Sequence, residues 1–266
     1  MEIDGVEVRI EGEGAEPVLM MHGWPDTLRL WDVTVAALKP RWRCLRFTLP
    51  GFDLSMPGRA YSLDEVLETV HRIVTRCCPG ERVTLLVHDW GCLYGYQFAL
   101  RYPDLVSRVI GVDIGDAGSR AHQASLGLKA KAMVLAYQLW LALAWRLGGS
   151  IGERMARWMA GVLRCPTPAQ AIGAQMGYPY AVQWFGVKGG FGKLPVFEPA
   201  VPMLYLYGQR KPFMFHSQAW LDAVAAKPGN RVLGLPTGHW VMLQRPQAFH
   251  EAVAAWLMDT AAPGRG

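Results

Sequence analysis

Three short segments, far apart along the chain, contain residues whose types and spacing could do nucleophilic chemistry. The first, LLVHDWGC at residues 85–92, places Asp89 directly after an apolar run and Gly91 two residues later. A small residue at this spacing permits a sharp strand-to-helix turn, which lifts one side chain above a sheet as a nucleophile. The alternative is that Asp89 only caps the following helix, a position that aspartate favours.

The other two segments lie on either side of this one in the sequence. HGWP at residues 22–25 follows an early apolar run, and Gly23 lets the backbone N–H of Trp24 approach a developing negative charge. TGHW at residues 237–240 comes late in the chain and supplies His239, a residue type suited to general base catalysis. A nucleophile followed by a histidine is the order of a catalytic triad on a strand–helix framework.

The pattern of elements around these segments predicts an α/β fold with a mostly parallel sheet flanked by helices. Apolar runs of strand length alternate with helical patterns in residues 1–116 and 196–266. Residues 117–195 instead carry helical, Trp- and Met-rich patterns, and we expect an inserted helical cap there rather than a second serial domain. Ser62, with Glu65 three residues later, predicts the capped start of a helix. The predicted strands are 6–10, 17–22, 43–48, 83–87, 106–112, 203–207 and 231–235.

The composition raises the question of a membrane protein. Of the 266 residues, 51% are apolar, and the mean hydropathy is +0.10. The longest apolar stretch, 132–145, contains Gln138 and is shorter than the roughly 20 residues of a membrane span. We therefore expect a buried helix, or one that faces a dry pocket. The acidic first residues lack the apolar region of a signal peptide, which favours a cytoplasmic protein.

The net charge and the cysteine content limit the classes of partner and cofactor that we expect. The net charge is +5, and no run of five basic residues occurs, so we expect no nucleic-acid partner. Five cysteines without a C-x-x-C spacing do not indicate a disulfide framework. The sequence contains neither H-E-x-x-H nor a phosphate-binding loop, so we expect no metal and no cofactor. A small apolar substrate is the expected partner, and assembly as a homodimer stays open.

The motifs HGWP, VHDWG and GHW, in this order, resemble those of the α/β-hydrolase superfamily. More narrowly, they resemble its aspartate-nucleophile branch, the epoxide hydrolases and haloalkane dehalogenases. The resemblance covers about 17–117 and 200–258. It implies Asp89 as the nucleophile and His239 as the residue that activates water. It also implies that Trp24 and Trp90 supply the oxyanion hole and contacts to the leaving group.

The acidic member of the triad departs from the pattern of most family members. They carry an acid in a G-x-x-D stretch after the penultimate strand, where this chain has GQRK with Lys211. Some haloalkane dehalogenases place the carboxylate one strand earlier. That resemblance implies Asp113 as the acid, with Asp116 as the reserve candidate. The turn around the nucleophile also differs, since Val87 and Cys92 stand where the family has small residues.

Aromatic residues of the predicted cap bear on the leaving group. Tyr137 begins a YQLW segment that resembles the one carrying a ring-opening tyrosine in soluble epoxide hydrolases. In a later segment, Phe185 stands where a second tyrosine is expected, so Tyr178 and Tyr180 are the substitutes. Trp184 is a further candidate for contact with the substrate.

The resemblance therefore implies a hydrolase that opens an apolar epoxide. The reaction would form a covalent alkyl ester on Asp89, and water activated by His239 would release the product. A haloalkane or haloacid dehalogenase with the same nucleophile is the first alternative. An esterase-like member and a non-catalytic ligand-binding member of the fold are the others.

Overall fold

A computed structural model describes residues 1–260, and its centre is an eight-stranded sheet. The strands are β1 (Glu2–Ile3), β2 (Val6–Glu11), β3 (Pro17–Met21), β4 (Arg43–Phe47), β5 (Val83–His88), β6 (Val106–Val112), β7 (Met203–Gly208) and β8 (Arg231–Leu235). Their spatial order is β1-β2-β4-β3-β5-β6-β7-β8. The predicted α/β class is confirmed. The two-residue strand β1 was not predicted, because it is too short to carry an apolar pattern.

The six strands from β3 onward pair in parallel, and β1 and β2 add an antiparallel edge. Every residue of β3 and β5 is buried, as expected for central strands with helices on both faces. The carboxyl ends of parallel strands lie at one edge of a sheet. The loops after β3, β5, β6 and β8 therefore meet there.

Helices cover both faces of the sheet. They are α1 (Asp32–Leu38), α2 (Leu63–Cys77), α3 (Trp90–Arg101), α4 (Arg120–Ser125), α5 (Leu128–Leu147), α6 (Gly149–Val162), α7 (Tyr178–Phe185), α8 (Gln218–Ala225), α9 (Val241–Gln244) and α10 (Pro246–Asp259). The start of α2 is the predicted capping box: Glu65 N–H donates to Ser62 Oγ at 3.2 Å, and Ser62 N–H donates to the Glu65 carboxylate at 2.8 Å.

Two apolar cores lie on opposite faces of the sheet. Along β5, Leu85 and Val87 belong to one core, and Leu86 between them belongs to the other. This alternation follows from the two-residue period of a strand. Helices α2 and α3 cover the first core, and α1 and α10 cover the second. The sheet is thereby held rigidly, which fixes the loops at its carboxyl edge.

Helices α4 to α7 lie between β6 and β7 in the chain, inside the helical insertion expected at residues 117–195. The division into core and cap stays a prediction, and residues 261–266 of the predicted core lie outside the described part of the chain. The expectation of a buried helix at 132–145 is wrong for its outer face. Only Leu141, Ala142 and Ala144 of α5 are buried, since α6 and α7 pack against its sides and leave the face between them open. Among the helices of residues 1–260, none has both the length and the apolar character needed to span a bilayer.

Candidate active site

Asp89 lies in the turn between β5 and α3, with a left-handed backbone conformation (φ 54°, ψ −123°). Such a conformation costs a non-glycine residue free energy, and it is found mainly at functional sites. A Cβ at Gly91 would overlap the backbone oxygen of Met21, so the turn requires glycine there. The Asp89 side chain makes no capping hydrogen bond to α3. The geometry thus favours a functional carboxylate, with 16% of its side chain exposed, over a helix cap.

The loop after β3 holds one oxygen of this carboxylate. The backbone N–H of Trp24 donates to Asp89 Oδ1 at 2.7 Å. A Cβ at Gly23 would overlap the same oxygen, so only glycine permits this approach. Burial raises the pKa of Asp89, but the hydrogen bond and charge of His239 hold it below its usual range. Asp89 is therefore ionised at neutral pH.

His239, in the loop after β8, contacts the second oxygen of Asp89. Its Nε2 lies 3.4 Å from Asp89 Oδ2, and its Nδ1 lies 2.5 Å from Asp113 Oδ2. Burial lowers the pKa of His239, but the hydrogen bonds and charges of Asp113 and Asp89 outweigh it and raise the pKa to about 9. The structure thus brings together the three residues that the sequence assigned to a triad.

Asp113 follows β6 directly, has φ 69° and is completely buried. Its Oδ1 accepts a hydrogen bond from Gly208 N–H at 2.9 Å and forms an ion pair with the Lys211 ammonium. Burial raises the pKa of Asp113, but Lys211, followed by His239, lowers it below its usual range. Asp116 is not brought to His239. Its carboxylate accepts from Ser217 N–H at 2.7 Å and so fixes the loop before α8.

Two further histidines support the site without facing Asp89. His22 Nε2 accepts from Leu49 N–H at 2.9 Å, and its Nδ1 lies 3.0 Å from the carbonyl of Gly23. Burial lowers the pKa of His22 to about 4, so the ring is neutral and braces the loop. His88 packs against His239 with ring centroids 4.4 Å apart. Its pKa is lowered to about 3 by burial and by the charge of His239.

Asp26 connects three parts of the site. One oxygen bonds the hydroxyl of Thr167 from the helical insertion, and the other accepts from the indole N–H of Trp240 at 2.9 Å. Trp240 follows the catalytic candidate His239 directly, so Asp26 joins the insertion to the histidine loop. Burial raises the pKa of Asp26 to about 6, although the two hydrogen bonds oppose the rise.

Aromatic rings of the insertion lie over the nucleophile. The ring of Tyr180 lies edge-on to Trp90 at 5.1 Å, to Tyr137 at 6.1 Å and to Trp24 at 6.2 Å. Burial raises the pKa values of Tyr137 and Tyr180, and the charge of Asp89 raises them further, which keeps both phenols protonated. Tyr178 is not brought into this group. It is buried elsewhere, with its hydroxyl 3.3 Å from that of Tyr94.

Gln138 fixes the hydroxyl of Tyr137. The Gln138 amide donates to Tyr137 Oη at 3.1 Å, and its own oxygen accepts from the indole N–H of Trp184 at 2.9 Å. Because Tyr137 Oη accepts this hydrogen bond, its proton is left to donate to another group. The structure does not bring Trp184 itself to Asp89, since Trp184 is 39% exposed at the surface of the insertion.

Lys211, Gln138 and Asp26 had no role in the sequence-based interpretation. The position of Gln138 beside Tyr137, and that of Asp26 directly after HGWP, are the signals that could have suggested them. No sign of a role for Lys211 in the site was present in the sequence, since a lysine stands there in place of the expected acid. Its partner Asp113 is 98 residues away in the chain.

Comparison with known proteins is consistent with this architecture. The sequence profile of the alpha/beta hydrolase fold family matches residues 16–149, half of the chain. The protein named epoxide hydrolase 1 of Caenorhabditis elegans is 30% identical over 105 residues, which are 38% of this chain and 26% of that protein. The structure of an epoxide hydrolase from Bacillus megaterium has a TM-score of 0.73 at 19% identity, covering 95% of this chain and 96% of that one. A structure of an ancestral haloalkane dehalogenase has a TM-score of 0.64 at 18% identity, covering 96% and 95%.

The chain belongs to the α/β-hydrolase fold family. The two structural similarities, at 18–19% identity, show the shared fold alone. The matched segment spans only 21% to 34% of the length of the curated relatives found first.

Proposed function

We propose that this protein is a hydrolase that opens an apolar epoxide through a covalent ester on Asp89. One observation carries the proposal: the two oxygens of Asp89 have different partners. Oδ1 is held by the Trp24 N–H, and Oδ2 faces the His239 ring. A carboxylate held by one oxygen presents the other as a nucleophile.

The first step forms the ester. Asp89 Oδ2 attacks an epoxide carbon, the bond between that carbon and the ring oxygen breaks, and the oxygen becomes an alkoxide that takes a proton. Tyr137 suits the role of donor because Gln138 occupies its acceptor side and leaves the phenolic proton free. Tyr180, between Tyr137 and Trp90, is a second donor in reach of the same space.

The second step hydrolyses the ester. Neutral His239 removes a proton from water, and the oxygen of that water attacks the Asp89 carbonyl carbon. The negative charge develops on Oδ1, where the N–H of Trp24 already points. Collapse of this intermediate breaks the bond between the carbonyl carbon and Oδ2, and the imidazolium protonates the departing alkoxide. The carboxylic acid left on Asp89 returns its proton to the tyrosinate formed in the first step, which restores both groups. Asp113 stabilises the imidazolium throughout.

A dehalogenase is the second candidate, and one observation favours it. The indole N–H of Trp24 is buried and has no hydrogen-bond partner within residues 1–260. A halide leaving group needs N–H donors rather than a proton. Trp24, beside the nucleophile, would supply one and Trp90 another. The attack by Asp89 and the hydrolysis by His239 would be unchanged.

The remaining alternatives find less support. An esterase-like reaction, in which His239 activates water for direct attack on a substrate, gives Asp89 Oδ2 no role beyond its contact with His239. A non-catalytic ligand-binding protein would not need the strained turn at Asp89 or the buried partners of His239. The contacts of 3.4 Å and 2.5 Å that His239 makes to the two carboxylates argue for catalysis.

Trapping the ester tests the nucleophile. In His239→Gln, attack by Asp89 should proceed and hydrolysis should stop. A styrene-oxide-type epoxide should therefore add its full mass to the peptide that contains Asp89. The variant His71→Gln, which changes a histidine outside the site, should turn over normally and carry no adduct. Absence of the adduct, together with absence of turnover in the wild type, would contradict the proposed function.

The leaving group is tested separately. Tyr137→Phe removes the proton donor but keeps the ring against Tyr180. Epoxide turnover should fall by about 10² to 10⁴, and turnover of a bromoalkane should not. A bromoalkane that is turned over while epoxides are not would assign the protein to the dehalogenases instead.

A further inference from the structure

The outer face of α5 is an apolar surface without a covering element in residues 1–260. Five leucines form it, with exposed fractions of 87% for Leu128, 42% for Leu135, 37% for Leu139, 41% for Leu143 and 53% for Leu147. Their spacings of seven and four residues place them on one side of the helix. We call them the leucine face. Lys129 and Arg146 lie on the same side at the two ends of the helix, and the strip between them is apolar. Monomeric soluble proteins rarely leave such a strip open.

Tryptophans extend the leucine face on both flanks. On one side, the 56% exposed Trp158 of α6 packs against Trp140 of α5, with ring centroids 4.9 Å apart. On the other side, Trp184 at the end of α7 is hydrogen-bonded to Gln138 of α5. The three helices thus present one surface, with leucines at its centre and exposed indoles at its edges.

The same part of the chain carries a strong positive charge. Residues 117–195 contain nine Lys or Arg and a single acidic residue, Glu153, for a net charge of +8. The whole chain has +5, so all of its excess positive charge lies in this insertion. Arg157 pairs with Glu153 and Lys188 with Glu65. The other seven cations make no ion pair with the described residues 1–260.

We propose that this surface binds the interface of an anionic lipid membrane, with α5 lying parallel to the bilayer plane. Exposed leucines insert among the acyl chains, and indoles suit the boundary between headgroups and hydrocarbon. Lysine and arginine side chains reach the anionic headgroups. With Lys129, Lys131 and Arg146 on it, α5 lies on the membrane and does not cross it.

Charge favours a membrane over a second copy of this chain as the occupant. Two copies joined through the leucine face would bring two insertions of +8 together, and like charges repel across an interface. An anionic membrane neutralises the same charge. This inference does not depend on the hydrolase proposal, because its test changes no residue that the proposed mechanism uses.

Vesicle flotation at low ionic strength tests the inference. The wild-type protein should float with vesicles of equimolar phosphatidylcholine and phosphatidylglycerol, and much less with pure phosphatidylcholine. Added salt should release it, because salt screens the attraction to the headgroups. Leu143→Gln should lower the partition coefficient about tenfold. Lys131→Gln should lower it about fivefold.

Residues outside the insertion provide matched control variants for the flotation experiment. Leu100 on α3 has nearly the same exposed fraction as Leu143, 40% against 41%, so Leu100→Gln should leave flotation unchanged. Lys39→Gln, which changes an exposed lysine after α1, controls for loss of charge. A wild type that does not float with the anionic vesicles overturns the proposal. So does equal loss of flotation in Leu143→Gln and Leu100→Gln. A dimer that Leu143→Gln dissociates, without flotation of the wild type, assigns the leucine face to self-association and also overturns it.

Discussion

Lys211 forms a buried ion pair with Asp113, the carboxylate whose other oxygen contacts His239. Only 6% of the Lys211 side chain is exposed. The Asp113 carboxylate is therefore shared between two cations whenever His239 is protonated. Asp89 and His88 contact the His239 imidazole from its other sides. A positive charge at Lys211 disfavours the imidazolium. We therefore expect Lys211 to move the pKa of His239 back towards neutral pH, where the proposed hydrolysis needs a neutral base.

Replacing Lys211 should change the pH dependence of hydrolysis. Lys211→Met leaves the Asp113 charge to His239 alone, so the pKa of His239 should rise by roughly one unit. The pH at which ester hydrolysis reaches half of its maximal rate should rise equally. The measurement is the decay rate of the ester on Asp89 in single turnovers as a function of pH.

Two controls separate this effect from misfolding. Breaking a buried pair is strongly destabilising, by about 3 kcal/mol or more, so rates are compared at a temperature where circular dichroism shows Lys211→Met to be folded. Lys211→Arg keeps the charge and should restore the profile towards that of the wild type. If the half-maximal pH of Lys211→Met equals that of the wild type, Lys211 does not act on His239.

Ester formation itself should lower the pKa of His239. In the free protein, the charge of Asp89 contributes to the pKa of about 9. The ester has no charge, so that contribution is lost. Hydrolysis should therefore accelerate with rising pH through an apparent pKa below 9, whereas NMR titration of the free protein should give a value of about 9. A hydrolysis rate that falls as the pH rises would be the opposite of this prediction.

Gly23 should be indispensable for activity but not for folding of the sheet. In Gly23→Ala, the new methyl group would overlap Asp89 Oδ1 and push the Trp24 N–H away from it. The rate of ester hydrolysis should fall on the order of 10² to 10³, the usual effect of losing one oxyanion-hole donor. Gly161→Ala is the control, because open space surrounds Gly161 in α6. An active Gly23→Ala would show that this donor is not needed.

Asp26 should destabilise the protein at neutral and alkaline pH. Its pKa is raised by burial from 3.8 to about 6, so its contribution to stability is complete below pH 3.8 and is lost as the pH rises through 6. Asp26→Asn removes this loss and can keep bonds to Thr167 and Trp240. Its free energy of unfolding should exceed that of the wild type by about 3 kcal/mol at pH 8.

Denaturation in urea at several pH values checks the Asp26 prediction. The difference between Asp26→Asn and the wild type should shrink as the pH falls towards 4. Asp104→Asn, an exposed aspartate outside the site, should differ from the wild type by less than about 0.5 kcal/mol at every pH. A difference for Asp26→Asn that does not change with pH would rule out titration of Asp26 as its cause.

Local patterns in the sequence were sufficient to predict the strands of the sheet and the three loops that form the site. The strands at 106–112 and 231–235 have the predicted bounds, because each is a short segment rich in apolar residues with turn residues beside it. In a parallel sheet, the carboxyl ends of all strands lie at the same edge. For that reason Asp89 and His239, 150 residues apart, could be expected at one site.

Features that depend on tertiary packing were not predictable. The pairing of Lys211 with Asp113 depends on how the loops after β6 and β7 fold against each other, which neither loop encodes alone. The sequence predicted that α5 is buried or faces a dry pocket, and it did not predict the exposed outer face, since an apolar run gives no sign of which side meets a partner. The roles of Tyr178 and Tyr180 were undecided, and packing separates them: only Tyr180 contacts Trp90.

The source of the product oxygen tests the covalent mechanism most directly. With the protein in excess over a styrene-oxide-type epoxide in ¹⁸O-labelled water, a single turnover releases a diol that contains the old Oδ2 of Asp89. Mass spectrometry should find the diol unlabelled and one ¹⁸O atom in the peptide that contains Asp89. A labelled diol with an unlabelled Asp89 would mean that water attacks the substrate directly, and it would contradict the ester on Asp89.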